Sequence, residues 1–86
     1  MSAQSSYTII YLFTKDYSEI LSLLSTLDNL NKYTIIKTKC EGPTPFAFHV
    51  AKTPTLIMYD NKKKMKELRR SYGTVHIVNL LKELLK

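Results

Sequence analysis

Residues Tyr7-Thr8-Ile9-Ile10-Tyr11-Leu12-Phe13-Thr14 form an almost unbroken run of β-branched and aromatic side chains. The run is too short for a typical helix and lacks the alternation of a strand with one wet face. It predicts a strand buried on both faces, as in a parallel or mixed sheet. That restricts the chain to an α/β arrangement in which other elements cover the sheet. Eighty-six residues leave room for one such domain, which we place at 7–86, with residues 1–6 as a disordered lead.

The segments that follow fit this frame. Asp16, with Glu19 three residues on, predicts a capping box with an acidic N-cap. Tyr17, Ile20, Leu21, Leu24, Leu27 and Leu30 recur at helical spacing and predict a helix over 17–30. The stretch from Thr34 to Cys40 reads as a second strand, broken by Glu41-Gly42-Pro43. Thr44-Pro45 resembles an N-cap followed by proline at the first helical position, so a short helix is expected over 45–50. A third strand follows over 55–59, then a turn at Asp60-Asn61-Lys62. In 63–72 local propensity reads helix, with Met65, Leu68 and Tyr72 at i, i+3 and i+7. The tight turn before it reads hairpin strand, and we take strand. Gly73 ends it. Thr74 then caps a last helix with Ile77, Val78, Leu81, Leu84 and Leu85 as its stripe.

The resulting order is βαβ-α-ββα. A parallel βαβ crossover followed by a hairpin and a packing helix predicts a four-stranded mixed sheet flanked by helices on both faces. Here the sequence resembles the thioredoxin-like superfamily, nearest to its compact glutaredoxin-like members. The resemblance spans about 7–86 and rests on two stretches. Val50-Ala51-Lys52-Thr53-Pro54-Thr55-Leu56 is similar to the family's segment before the third strand, whose proline is cis. Phe13-Thr14-Lys15-Asp16-Tyr17-Ser18-Glu19-Ile20-Leu21 is similar to the stretch that leads into Cys-x-x-Cys. Tyr72-Gly73 also matches a glycine common before the last helix. The resemblance implies a cis Thr53-Pro54 bond and a contact corner made by Lys15, Asp16, Tyr17, Ser18, Thr53 and Pro54.

The thiols of that motif are absent, since Ser18 and Leu21 stand in their places. A serine hydroxyl is barely ionised near neutral pH and cannot replace a low-pKa thiolate. The glycine pair and aspartate with which glutaredoxins hold glutathione are replaced by Gly73-Thr74-Val75-His76. We therefore expect a non-catalytic module that serves as a protein-interaction or structural component of a larger assembly, with no enzyme activity and no cofactor.

Composition narrows the alternatives. One cysteine, Cys40, can make neither an internal disulfide nor a multi-thiolate zinc site. It reads either as a small buried side chain or as a reactive thiol of a residual redox or glutathione-linked protein, with Lys37 and Lys39 nearby to favour the thiolate. His49 and His76 lack partners at metal spacing. Ser18 paired with either histidine lacks an orienting third group. Thirteen basic residues oppose seven acidic ones, a net +6. Six of the thirteen, Lys62, Lys63, Lys64, Lys66, Arg69 and Arg70, fall in the expected hairpin. They read either as a solvated edge that discourages strand pairing or as a patch for nucleic acid or another anionic surface. No apolar run is long enough to span a bilayer, and the first residues lack a signal-peptide pattern. The default expectation is an intracellular, cytoplasmic location.

Overall fold

The structure, a computed structural model, describes residues 5–39 and 54–86. The expected helix over 45–50, Cys40, His49 and the Thr53-Pro54 bond lie outside the described residues. The elements are β1 (Tyr7–Phe13), α1 (Ser18–Asp28), β2 (Tyr33–Lys39), β3 (Thr55–Asp60), β4 (Lys66–Tyr72) and α2 (Thr74–Leu84). A single 3₁₀ turn, Asn61–Lys63, joins β3 to β4.

The four strands form one mixed sheet in the order β2-β1-β3-β4. β2 runs parallel to β1, whereas β3 is antiparallel to both β1 and β4. Six consecutive residues of β1 are buried, as the unbroken apolar run predicts for a strand with neighbours on each side. The ladders define two ends of the sheet. Tyr7, Tyr33, Asp60 and Lys66 stand in one row at the first, and Leu12, Thr38, Thr55 and Tyr72 in one row near the second.

β1 and β3 send alternate side chains to opposite faces. Ile9, Tyr11, Phe13, Leu56 and Met58 face the helices and share one core with Ile20, Leu24 and Leu27 of α1 and Ile77, Leu80 and Leu81 of α2. Ile10, Leu12 and Ile57 form a smaller buried cluster on the other face, with Tyr59 packed beside it. Helices were expected on both faces. Both described helices join the core on one face; the third expected helix, over 45–50, lies outside the described residues. Burying a leucine or isoleucine this way contributes about 1.5–3 kcal/mol each relative to exposure.

Several expected boundaries shift for local reasons. α1 stops at Asp28 instead of reaching Leu30, with Asn29 as its C-cap and Asn31 left-handed at φ 57°. Leu30 is 51% exposed and drops out of the expected stripe. Leu80, absent from the expected stripe of α2, is buried in the core. Ser5 and Ser6, assigned by sequence to the disordered lead, are tied to the sheet. Ser6 N–H donates to the Lys32 carbonyl at 3.1 Å, and the Ser5 and Thr34 hydroxyls are hydrogen-bonded.

Residues 66–72 are strand, as the order of elements predicts over their helical propensity. The strand starts at Lys66 because the connection is longer than the expected Asp60-Asn61-Lys62 turn. The Asp60 carboxylate accepts from Lys62 N–H at 2.9 Å, and Lys64 and Met65 are both left-handed, at φ 55° and 58°. Among the described residues no helix is long and apolar enough to cross a membrane.

Candidate functional site

Both helices begin at the second end of the sheet, and neither N-cap residue supplies a side-chain hydrogen bond. Asp16 was expected to cap α1. The N-cap is Tyr17, one residue later, in extended backbone at φ −99°, ψ 107°. Its carbonyl accepts from Leu21 N–H at 3.0 Å. The capping box is therefore out of register. Glu19 still lies in the first turn, where a carboxylate interacts favourably with the helix dipole.

α2 is likewise displaced by one. Thr74 is its first helical residue, and Gly73 is the N-cap at φ 87°, ψ 154°. That conformation is essentially confined to glycine. Gly73 N–H donates to the Pro54 carbonyl at 3.0 Å, and its carbonyl accepts from Ile77 N–H at 3.1 Å. Pro54, which is buried, is thereby fastened to the start of α2.

The two N-termini meet at a depression of about 290 Å³ lined by Tyr17, Ser18, Glu19, Ile20, Thr74 and Val78. A second depression, about 190 Å³, shares Glu19, Thr74 and Val78 with it and continues to Val75, Asn79 and Lys82. Val75 is 68% exposed. Glu19 and Lys82 approach to 3.9 Å across this groove, a solvated pair that contributes little to stability.

Of the corner expected from sequence, the structure brings Tyr17 and Ser18 to the depression and holds Pro54 beside its α2 wall. Lys15 and Asp16 are exposed and lie outside the lining. Thr53 is outside the described residues. Sequence reasoning missed Thr74, Val75 and Val78 as surface groups. Val75 did carry a signal, because it is an apolar residue out of phase with the Ile77-Leu81-Leu84 stripe.

Tyr11 lies under this end of the sheet. Its ring stacks on Phe13 at 5.0 Å between centroids. The side chain is fully buried, and among the described residues its hydroxyl has no hydrogen-bond partner. Burial, and then the nearby Tyr17 and Asp16, push its pKa up to about 12. The corner therefore offers apolar surface, hydroxyl groups and the first-turn N–H donors of two helices whose N-cap side chains do not bond them. Among the described residues its lining contains no thiol and no histidine. Such a surface can hold an apolar side chain and donate to a carbonyl beside it.

The six-residue basic patch is not one surface. The β3–β4 register pairs Met58 with Arg69 and Tyr59 with Glu67, so Leu68 is an extra residue in β4. This bulge resets the alternation and brings Glu67 to the same face as Arg70. Arg70 donates to Glu67 at 2.7 Å and approaches the Tyr72 hydroxyl at 3.5 Å. The carboxylate first, then the Tyr72 hydroxyl, hold the guanidinium in its charged form. Burial, and secondarily Glu67, raise the Tyr59 pKa, with Arg70 acting the other way. Arg69 turns to the helix face, 3.3 Å from Glu83 of α2. Both arginines thus leave the patch, whereas Lys62, Lys63, Lys64 and Lys66 remain exposed.

His76 is exposed and lines a shallow polar depression with Arg70, Ser71 and Tyr72. Among the described residues no cluster of three metal-ligating side chains occurs. Cys40, the candidate reactive thiol, and His49 lie outside the described residues. No protein-family model and no curated protein matches this chain.

Proposed function

We propose that the chain is a non-catalytic thioredoxin- or glutaredoxin-like module whose helix N-terminal corner docks a segment of a protein partner within a larger assembly. The observation that carries this reading is the meeting of the α1 and α2 N-termini around an apolar depression, with Pro54 bonded to Gly73 beside it. The mixed sheet order β2-β1-β3-β4 is compatible with the fold that the sequence resembles. Where the resembled motif has thiols, Ser18 and Leu21 supply none. The site then retains means of binding, through its apolar lining and first-turn backbone donors, and lacks the nucleophile for disulfide exchange.

The test combines binding and chemistry. A display library of extended peptides, selected on the full chain, is expected to yield binders with an apolar anchor side chain. Val75→Asp should abolish that binding while leaving thermal unfolding nearly unchanged, because Val75 is exposed. Disulfide reduction should not exceed that of free thiol. Reduction well above that level, lost on Cys40→Ser, would replace this reading with a redox one.

A further inference from the structure

We propose that the first end of the sheet is a binding surface for the phosphate backbone of duplex nucleic acid, read without base specificity. It is made by Lys62, Lys63, Lys64 and Lys66 of the hairpin together with Lys32 from the α1–β2 connection. Lys32 is remote in sequence and joins through the backbone. Its carbonyl accepts from Ser6 and Tyr7 N–H, and the Ser6 carbonyl accepts from Asn61 N–H at 3.0 Å. Lys32 and Lys62 therefore flank the same row of the sheet. All five lysines are exposed, and among the described residues none is in an ion pair.

The turn that carries them is held in place. The Asn61 side chain accepts from the Thr8 hydroxyl at 2.7 Å and donates to the Ser5 carbonyl at 2.9 Å. The Asp60 carboxylate is occupied by Lys62 N–H. Two successive left-handed residues, Lys64 and Met65, follow. A left-handed side-chain-bearing residue costs roughly 1–2 kcal/mol, so the anchors hold a turn that its residues do not favour. Its lysines are thereby presented in a preorganised array.

The chemistry favours phosphate over an acidic protein. Lysine is a point charge suited to phosphate and is depleted from protein–protein interface cores. The arginines that could grip a carboxylate or a guanine edge with a fork are engaged by Glu67 and Glu83. The rings at this end are also committed. Tyr7 stacks on Tyr33 at 5.7 Å, and the Lys32 ammonium lies 6.0 Å from the Tyr7 centroid. Neither of these two rings is free to stack on unpaired bases. Backbone contact to a duplex remains.

Fluorescence anisotropy of a labelled mixed-sequence duplex, titrated with the full chain between 50 and 200 mM salt, tests this. Five phosphate contacts set a slope of log K against log salt near −4.5, at about −0.9 per contact. Lys63→Ala with Lys64→Ala should reduce that slope by about 2 and weaken binding about tenfold or more at low salt. Lys37→Ala with Lys39→Ala removes the same charge from β2 and should change affinity less than about twofold. Equal losses in the two double variants would overturn the proposal in favour of net charge alone. So would a failure to bind at 50 mM salt. Stronger binding to polyglutamate or to phosphatidylserine vesicles than to duplex would assign the surface to another class of partner.

Discussion

The two ends of the sheet solve the same problem, closing off strands and helices, by opposite means. At the end where the helices begin, the backbone does the work. Tyr17 and Gly73 are N-caps without side-chain bonds, and the link between elements is the Gly73–Pro54 peptide hydrogen bond. The N-cap side chains leave the first-turn donors beside apolar side chains. At the other end side chains do the work. Asn61 reaches Thr8 and Ser5, and Asp60 closes the turn. These bonds hold a strained connection whose outward groups are almost all ammonium. The difference separates two kinds of recognition. One end offers shape and hydrogen bonding; the other offers charge at fixed positions.

The sharpest way to break this contrast is to remove the side-chain ties. Asn61→Ala leaves the buried Thr8 hydroxyl and the Ser5 carbonyl without their partner. Such a loss costs about 1–3 kcal/mol per buried group, so we expect about 2–3 kcal/mol in chemical denaturation and weaker duplex binding. A loss under 0.5 kcal/mol, on the scale of an ordinary surface change, would mean that the turn does not depend on Asn61. Next in size is Gly73→Ala at the opposite end. Among the described residues nothing lies within 4 Å of the position a Cβ would take, so the expected cost is conformational, about 1–3 kcal/mol for this backbone region. Gly73→Asn should recover little, because asparagine favours the left-handed helical region and not ψ 154°. If alanine were neutral here, backbone geometry would not be what orders the helix end.

Most elements were legible because their signals are local. The β-branched runs mark β1, β2 and β3, and 3.6-residue periodicity marks both helices. β4 was legible only from its place in the order of elements, since Lys66-Glu67-Leu68-Arg69 favours helix in isolation. Cap positions were off by one because a capping signature allows neighbouring registers, and packing of Ile20 and Ile77 into the core chooses between them. The corner was half legible. Tyr17, Ser18 and Pro54 came from the resemblance, while Thr74, Val75 and Val78 depend on how α2 crosses α1. The basic patch was least legible. Its membership depends on the bulge at Leu68, which redirects Glu67 toward Arg70, and on the pairing that brings Lys32 beside the hairpin. Neither leaves a mark in the local sequence.

The smallest expected effect comes from Tyr11, the buried ring at the backbone-built end. Its hydroxyl is desolvated without a hydrogen bond among the described residues, and a buried hydroxyl left unbonded costs about 1–3 kcal/mol. Tyr11→Phe keeps the ring and its stack on Phe13 and should be stabilising by about 1 kcal/mol at pH 7. Alkaline pH enlarges the difference. The folded pKa near 12 exceeds the ordinary value near 10, so the native state binds the phenolic proton more tightly than the unfolded state. Stability from this group is complete below pH 10 and falls as pH rises through the interval up to 12. At pH 11 the variant's advantage should grow by about 1.4 kcal/mol. Tyr33 and Tyr59, whose pKa values burial also raises, leave the variant with a shallower alkaline loss of its own. Urea titrations of both proteins at pH 7 and pH 11 decide the matter. A destabilised variant at pH 7 would show that the hydroxyl is bonded after all, which would place a side-chain tie at the end that otherwise relies on backbone.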